Sequence, residues 1–149
     1  MPAPTHRPIG LTLTRTAKAV SRAFDARLAA AGGSLPMWLV LLSLRTEQMG
    51  NQRELARAVG VEGATLTHHL NAMERDGLLT RRRDPANRRV HIVELTPAGH
   101  QLFDRLREAA AAHDRNLRTG VSDDEVARLE QLLDRLHDNV VGAPISRTS

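Results

Sequence analysis

Residues 51–95 read NQRELARAVGVEGATLTHHLNAMERDGLLTRRRDPANRRVHIVEL, and the punctuation in this stretch decides the fold. Asn51 with Glu54 three positions on has the pattern of a capping box, in which each side chain satisfies a backbone donor at a helix start. Leu55, Ala56 and Val59 then share one helical face before Gly60 ends the run. A second helix has to begin near Val61 or Glu62, because Leu66, Leu70 and Met73 repeat at helical spacing up to Gly77, a residue suited to a left-handed cap. After Gly77 the pattern changes. Leu78-Leu79-Thr80 enters an extended run, Asp84-Pro85-Ala86-Asn87 carries the residues of a type I turn, and Val90 to Leu95 is rich in β-branched residues, which together make a hairpin. Helix, tight turn, helix, hairpin is the winged helix-turn-helix plan, whose second helix fits a major groove about 12 Å wide.

Upstream, Leu13, Ala17, Val20, Phe24 and Leu28 recur at steps of three and four from about residue 9, and Gly32-Gly33 stops that first helix. Ser34 can cap a second helix near Pro36, with Leu35, Leu39 and Leu42 as its buried stripe and Gly50 beyond its end. Downstream, Thr96-Pro97 offers a cap followed by proline at the first helical position, and Leu102, Phe103, Leu106, Ala110 and Leu117 line one side of a long helix. Ser122 with Glu125 is another capping box, ahead of Val126, Leu129, Leu132, Leu133, Leu136 and Val140, a stripe wide enough to demand a partner. The expected fold is mainly α with a small β-hairpin wing, about six helices, assembled as a homodimer. The expected organisation is a flexible arm over residues 1–8, a dimerisation helix over 9–33, a DNA-binding lobe over 34–95, dimerisation helices over 96–141 and a frayed tail over 142–149.

Composition narrows the function. With 149 residues, 41% of them hydrophobic and 2% aromatic, the chain can bury one core built from aliphatic side chains. A formal charge of +4 favours a polyanionic partner. No cysteine is present, which removes disulfides, thiolate metal sites and thiol sensing. No apolar stretch approaches the roughly 20 residues of a membrane span, and the N-terminus has no apolar signal core, so the expected compartment is the cytoplasm and no membrane partner is expected.

With Leu66, Leu70 and Met73 turned inward, the groove-facing positions of the second helix are Glu62, Gly63, Ala64, Thr65, Thr67, His68 and Asn71, with Arg75 better placed for the DNA backbone. The hairpin holds Arg81, Arg82, Arg83, Arg88 and Arg89, five guanidinium groups within nine residues, which repel one another unless an anion lies nearby. Asp84 can pair with one of them, and an arginine at the tip can enter the narrow minor groove, which singles out Arg88 and Arg89. Taken singly, an arginine run is usually a solvated face and a tight helical turn is common. Their conjunction with two long apolar helices is what carries the reading. A palindrome reader needs two recognition helices about 34 Å apart, so dimerisation follows from the function as well as from the stripes.

At these residues the chain resembles the MarR family of regulators. The segments that carry the likeness are Gln52-Arg53-Glu54-Leu55-Ala56, Thr65-Leu66-Thr67-His68-His69-Leu70, Met73-Glu74-Arg75-Asp76-Gly77-Leu78-Leu79, Asp84-Pro85-Ala86-Asn87-Arg88-Arg89 and Leu95-Thr96-Pro97-Ala98-Gly99. The likeness spans roughly residues 10–140. It implies a triangular dimer, with the first and last helices of both subunits interlocked and a winged lobe at each lower corner. It also implies a repressor released from a palindromic operator when a small ligand, such as an aromatic acid, fills a crevice between dimer helices and lobe. Arg15 could there meet a carboxylate, and Trp38 with Leu41 could form an apolar wall, although Trp38 is more often core packing and Arg15 more often a surface residue. The chain departs from the family at His68, where arginine is frequent, and at Asn87, where an acidic residue is frequent.

Two other classes compete with this reading. Seven histidines invite a metal- or haem-responsive regulator, but none form an i, i+4 pair on one helix or a His-Glu-x-x-His run. A ligand-independent DNA-binding protein is the other alternative. No nucleophile with a base, carboxylate pair or phosphate loop points to an enzyme, and no cofactor is expected.

Overall fold

The computed structural model describes residues 7–46 and 51–142. Most of the N-terminal arm, Gly50 as a helix stop, and the tail beyond residue 142 lie outside the described residues. The described elements are α1 (Ile9–Ala30), α2 (Leu35–Thr46), α3 (Gln52–Val59), α4 (Gly63–Arg75), β1 (Leu79–Arg83), β2 (His91–Leu95), α5 (Pro97–Leu117) and α6 (Asp123–Val141). This is a mainly helical winged helix-turn-helix with six helices and one hairpin among the described residues. No single helix among them is long and apolar enough to cross a membrane.

The chain divides into two compact units, residues 1–113 and 114–149. In the first, a continuous core is built from Leu28 of α1, Trp38, Val40 and Leu41 of α2, Leu55 and Val59 of α3, Leu66, Leu70 and Met73 of α4, Leu79 and Val93 of the hairpin, and Leu102, Phe103 and Leu106 of α5. The inward stripes of α3 and α4 are therefore as the spacing predicts. For α2 the phase differs: Trp38, Val40, Leu41 and Ser43 are buried, while Leu35 is exposed and Leu39 and Leu42 are only half-buried. Residues 35–44 are apolar at almost every position, so periodicity cannot choose a face, and neighbours on several sides decide it instead. On α1 only Leu28 is fully buried, with Phe24 half-buried against the same core.

Caps confirm most of the punctuation. Gly60 (φ 74°) and Gly77 (φ 73°) are left-handed, and the Leu78 N–H donates to Met73 O at 2.9 Å, closing a Schellman turn under α4. Asn51 caps α3, but its Oδ1 accepts from Arg53 N at 2.8 Å and the expected reciprocal bond with Glu54 does not form. Asn51 also bridges Ile92 of β2, which ties the start of α3 to the wing.

α5 starts in close contact with the end of α4. The Thr96 hydroxyl accepts from Gly99 N (3.1 Å) as the helix cap and donates to Gly77 O (2.6 Å), while Thr96 N donates to Leu78 O (3.1 Å). A Cβ built on Gly99 would stand 2.0 Å from Leu78 O. The Leu-Thr-x-x-Gly sequence is thus a joint between α4, the hairpin and α5.

In the second unit, Arg118 pairs with Asp114 (3.6 Å) and Asp123 (2.7 Å) across a turn containing left-handed Gly120. Ser122 and Glu125 form the full capping box, with Glu125 N donating to Ser122 Oγ at 3.2 Å and Ser122 N to Glu125 Oε2 at 2.8 Å. α6 has no buried residue, and Leu129, Leu132, Leu133, Val140 and Val141 are all exposed.

Candidate nucleic-acid interface

Three elements of the first unit form one surface. α4 presents Ala64, Thr65, His68 and Asn71 outward, with Gly63 at its first position and Glu62 as its N-cap. No side chain caps this N-terminus, so the first-turn N–H groups remain for an anionic partner. Thr67 is half-buried and more constrained than its neighbours: its hydroxyl donates to Gly63 O (2.9 Å) and accepts from Gln52 Nε2 (2.8 Å), which braces α4 against α3.

The hairpin pairs β1 with β2 in antiparallel register from Leu79 opposite Leu95 to Arg83 opposite His91. Its tip is a run of two turns. Asn87 N donates to Asp84 O (3.2 Å), Val90 N donates to Asn87 O (2.9 Å), and Asp84 N donates to Val90 O (2.9 Å). The side chains of Asp84 and Asn87 reinforce these as Asx turns, accepting from Ala86 N (2.9 Å) and Arg89 N (3.2 Å). The expected ion pair from Asp84 to a wing arginine is therefore replaced by a bond to its own loop. Two residues on, a peptide N–H is the nearer donor, and it needs no long side chain to be ordered.

The five hairpin arginines separate into two kinds. Arg81 is only 16% exposed; its guanidinium donates to Glu74 Oε1 (3.2 Å) and to Asn71 Oδ1, and its backbone N–H donates to Glu74 Oε2 (3.0 Å). It anchors the wing root to α4 and is not a free cation. Arg82 pairs with Glu94 at 3.2 Å on a solvated strand face, a contact of little energetic weight. Arg83, Arg88 and Arg89 are exposed and have no carboxylate partner among the described residues.

The Arg81 hydrogen bond holds the Glu74 carboxyl below the ordinary glutamate range. A lowered folded pKa means that the anchor's contribution is present above the unfolded value and is lost as pH falls through the folded one. The amide resonance of Arg81 should accordingly titrate with a midpoint below the ordinary glutamate value, and a midpoint at or above that value would contradict the assignment.

Between α3, the start of α4 and the wing lies a cavity of about 710 Å³, lined among others by Gln52, Arg53, Arg57, Gly63, Thr67, Arg89 and His91. Three guanidinium groups and an uncapped helix start make it complementary to phosphate. The α3 contribution is absent from the sequence reading. Its signal was the spacing of Arg53 and Arg57, four apart on the polar side of a helix whose other side holds Leu55 and Val59.

Trp38 and Leu41, expected to form a ligand wall, belong to the buried core. Leu41 has no exposed surface and Trp38 is 9% exposed, stacked on Phe103 with ring centroids 5.6 Å apart, so both serve the core of the lobe. Arg15 is exposed on α1. Among the described residues, no group of three metal-ligating side chains comes together.

A model of the MarR family matches residues 34–91, the segment that contains α4 and most of the wing. The chain is 36% identical to transcriptional regulator PA3341, covering 91% of this chain and 99% of that one, with a TM-score of 0.71. It is 26% identical to the PcaV transcriptional regulator from Streptomyces coelicolor, covering 93% and 100%, with a TM-score of 0.80; the complex of that regulator with its natural ligand matches at 28% identity, 90% and 93% coverage and a TM-score of 0.73. The transcriptional repressor CouR bound to a 23-mer DNA duplex is 28% identical, with 86% and 91% coverage and a TM-score of 0.75.

Proposed function

The chain belongs to the MarR family of transcription regulators, and from that premise we propose that it is a homodimeric repressor that reads a palindromic operator and leaves it when a small molecule binds. The family is one of DNA-binding regulators, not of enzymes. The observation that carries the DNA reading furthest is the set of Arg83, Arg88 and Arg89, exposed and without carboxylate partners among the described residues, of which Arg89 shares a cavity with Gly63 at the uncapped start of α4. In this reading Glu62, Gly63, Ala64, Thr65, Thr67, His68 and Asn71 form the groove-facing set, Arg88 and Arg89 take the minor groove, and Arg53 and Arg57 hold the intervening phosphates. CouR, solved on duplex DNA, supports the same use of the fold.

The dimer rests on apolar surface. Ile9 and Leu11 of α1 and Leu129, Leu132 and Leu133 of α6 are exposed in the single chain, and a second copy would bury them with the residue ranges 9–33 and 96–141 serving dimerisation. Control by a small organic ligand is supported by PcaV, whose natural ligand has been seen bound. A ligand acts here only through its different affinity for the DNA-competent and released arrangements. Repression follows from a dimer sitting across a promoter and blocking polymerase.

Selection from a random duplex library, followed by titration of the winning site at several salt concentrations, tests the reading. The expected result is an inverted repeat with half-sites about one helical turn apart and an affinity that falls steeply with salt. An enriched site with no internal symmetry would remove the dimeric palindrome reader, and no enrichment would remove sequence-specific binding by the unliganded protein.

A further inference from the structure

His91, the first residue of β2, is half-buried and lines the cavity between α3, the start of α4 and the wing. The charged side chains that share this site have one sign. α3 contributes Arg53 and Arg57, the wing loop contributes Arg89, and Arg83 is paired directly across the hairpin from His91. The start of α4 contributes Gly63 and Thr67, which are neutral. No Asp or Glu lines the cavity: Glu62 precedes it as the N-cap of α4, Glu54 lines a separate groove between α2 and α3, and Asp84 is bonded to Ala86 N in its own loop. The imidazole differs from its guanidinium neighbours in one respect, since it changes charge between about pH 5 and pH 8 where theirs is fixed.

We infer that His91 is the titratable member of a phosphate-binding site, so that a DNA backbone phosphate entering this cavity is accompanied by uptake of a proton from solvent onto the imidazole, and DNA affinity rises as pH falls. A phosphate oxygen beside the ring favours its protonated form, and linkage then requires protonation to favour the phosphate by the same factor. The neutral ring offers one N–H at most, whereas the protonated ring offers two donors and a full charge. With one His91 in each subunit, a dimer on its operator takes up as many as about two protons. The contact is to backbone and carries no base information, so the effect is the same on every duplex sequence. The inference rests on the DNA-binding reading proposed above, in which Arg53 and Arg57 hold phosphates.

The test uses the full-length protein with the site recovered from the random duplex library and with an unrelated duplex, titrated at about pH 8 and about pH 6 over several salt concentrations. Wild-type affinity is expected to be about tenfold higher at the lower pH, with a salt slope steeper by up to about two, one for each subunit. His91→Gln keeps a hydrogen-bonding side chain but cannot titrate, and should remove most of the difference on both duplexes. His91→Arg carries its charge at both pH values, so it should bind more tightly than wild type at about pH 8 and show the same flat profile; it remains decisive should His91→Gln fold poorly. The Glu74 carboxyl, held below the ordinary glutamate range by Arg81, does not titrate in this window. The inference is overturned if either His91 variant keeps the wild-type pH dependence, or if that dependence is lost in His68→Gln on α4 instead. Failure of the wild type to bind any duplex would remove the DNA-binding reading and this inference with it, whereas wild-type binding that does not change with pH removes this inference alone.

Discussion

Replacing Gly99 with alanine is expected to destabilise the protein by about 3 kcal/mol or more, and so to lower its melting temperature by on the order of 10 °C. The cause is a single close approach. A Cβ at this position would lie 2.0 Å from Leu78 O and 3.3 Å from Leu95 Cδ2, and the nearer atom is backbone that cannot rotate away. Leu78 O is also the acceptor for Thr96 N, so moving it loosens the start of α5 and the end of α4 together. Gly10→Ala is the natural control, because a Cβ there meets nothing within 4 Å and the residue sits in an exposed helix, where alanine is favoured by up to about 1 kcal/mol. Thermal melts of the two variants beside the wild type decide the matter. If Gly99→Ala melts within about 2 °C of wild type, the joint is more compliant than its geometry indicates.

The second large effect concerns binding. An Arg88→Ala, Arg89→Ala double variant is expected to weaken operator affinity on the order of tenfold to hundredfold and to reduce the slope of log K against log salt by up to about two. Both residues are exposed, neither has a carboxylate partner among the described residues, and the backbone turns that carry them are held by Asp84 and Asn87 rather than by the arginines themselves. The variant should therefore fold normally and lose only charge at the interface. Titrations at three or more salt concentrations give the affinity and the slope together. An unchanged slope with unchanged affinity would mean that the wing tip does not touch DNA.

The winged lobe was legible because its boundaries are marked by residues with few alternatives. Gly60 and Gly77 take left-handed conformations, Thr96-Pro97 opens α5, and apolar residues on α3 and α4 alternate sharply with polar ones. α2 was not legible in phase, since a helix apolar all round carries no periodic signal. Arg81 and Arg83 show the other limit. They lie on the same face of β1, two residues apart, yet one is tied to α4 and the other is exposed. The difference is made by Asn71 and Glu74, partners that no local pattern near the hairpin reveals. Strand alternation did hold a partial clue, because Arg81 shares its face with buried Leu79. The bridge from Asn51 to Ile92 is likewise a long-range pairing that no local pattern reveals.

The wing tip has one further consequence. Two successive turns, two Asx bonds and a proline leave residues 84–90 little backbone freedom before any partner arrives. Segments that order only on contact lose conformational entropy at that moment, and their affinity is reduced accordingly. A preformed tip avoids most of that loss, so in the proposed complex its arginines would meet the duplex as a rigid template. Discrimination at that point would then depend on how well the width of the groove matches a fixed shape, and DNA sequences that differ only in groove width would be distinguished there without a base being touched.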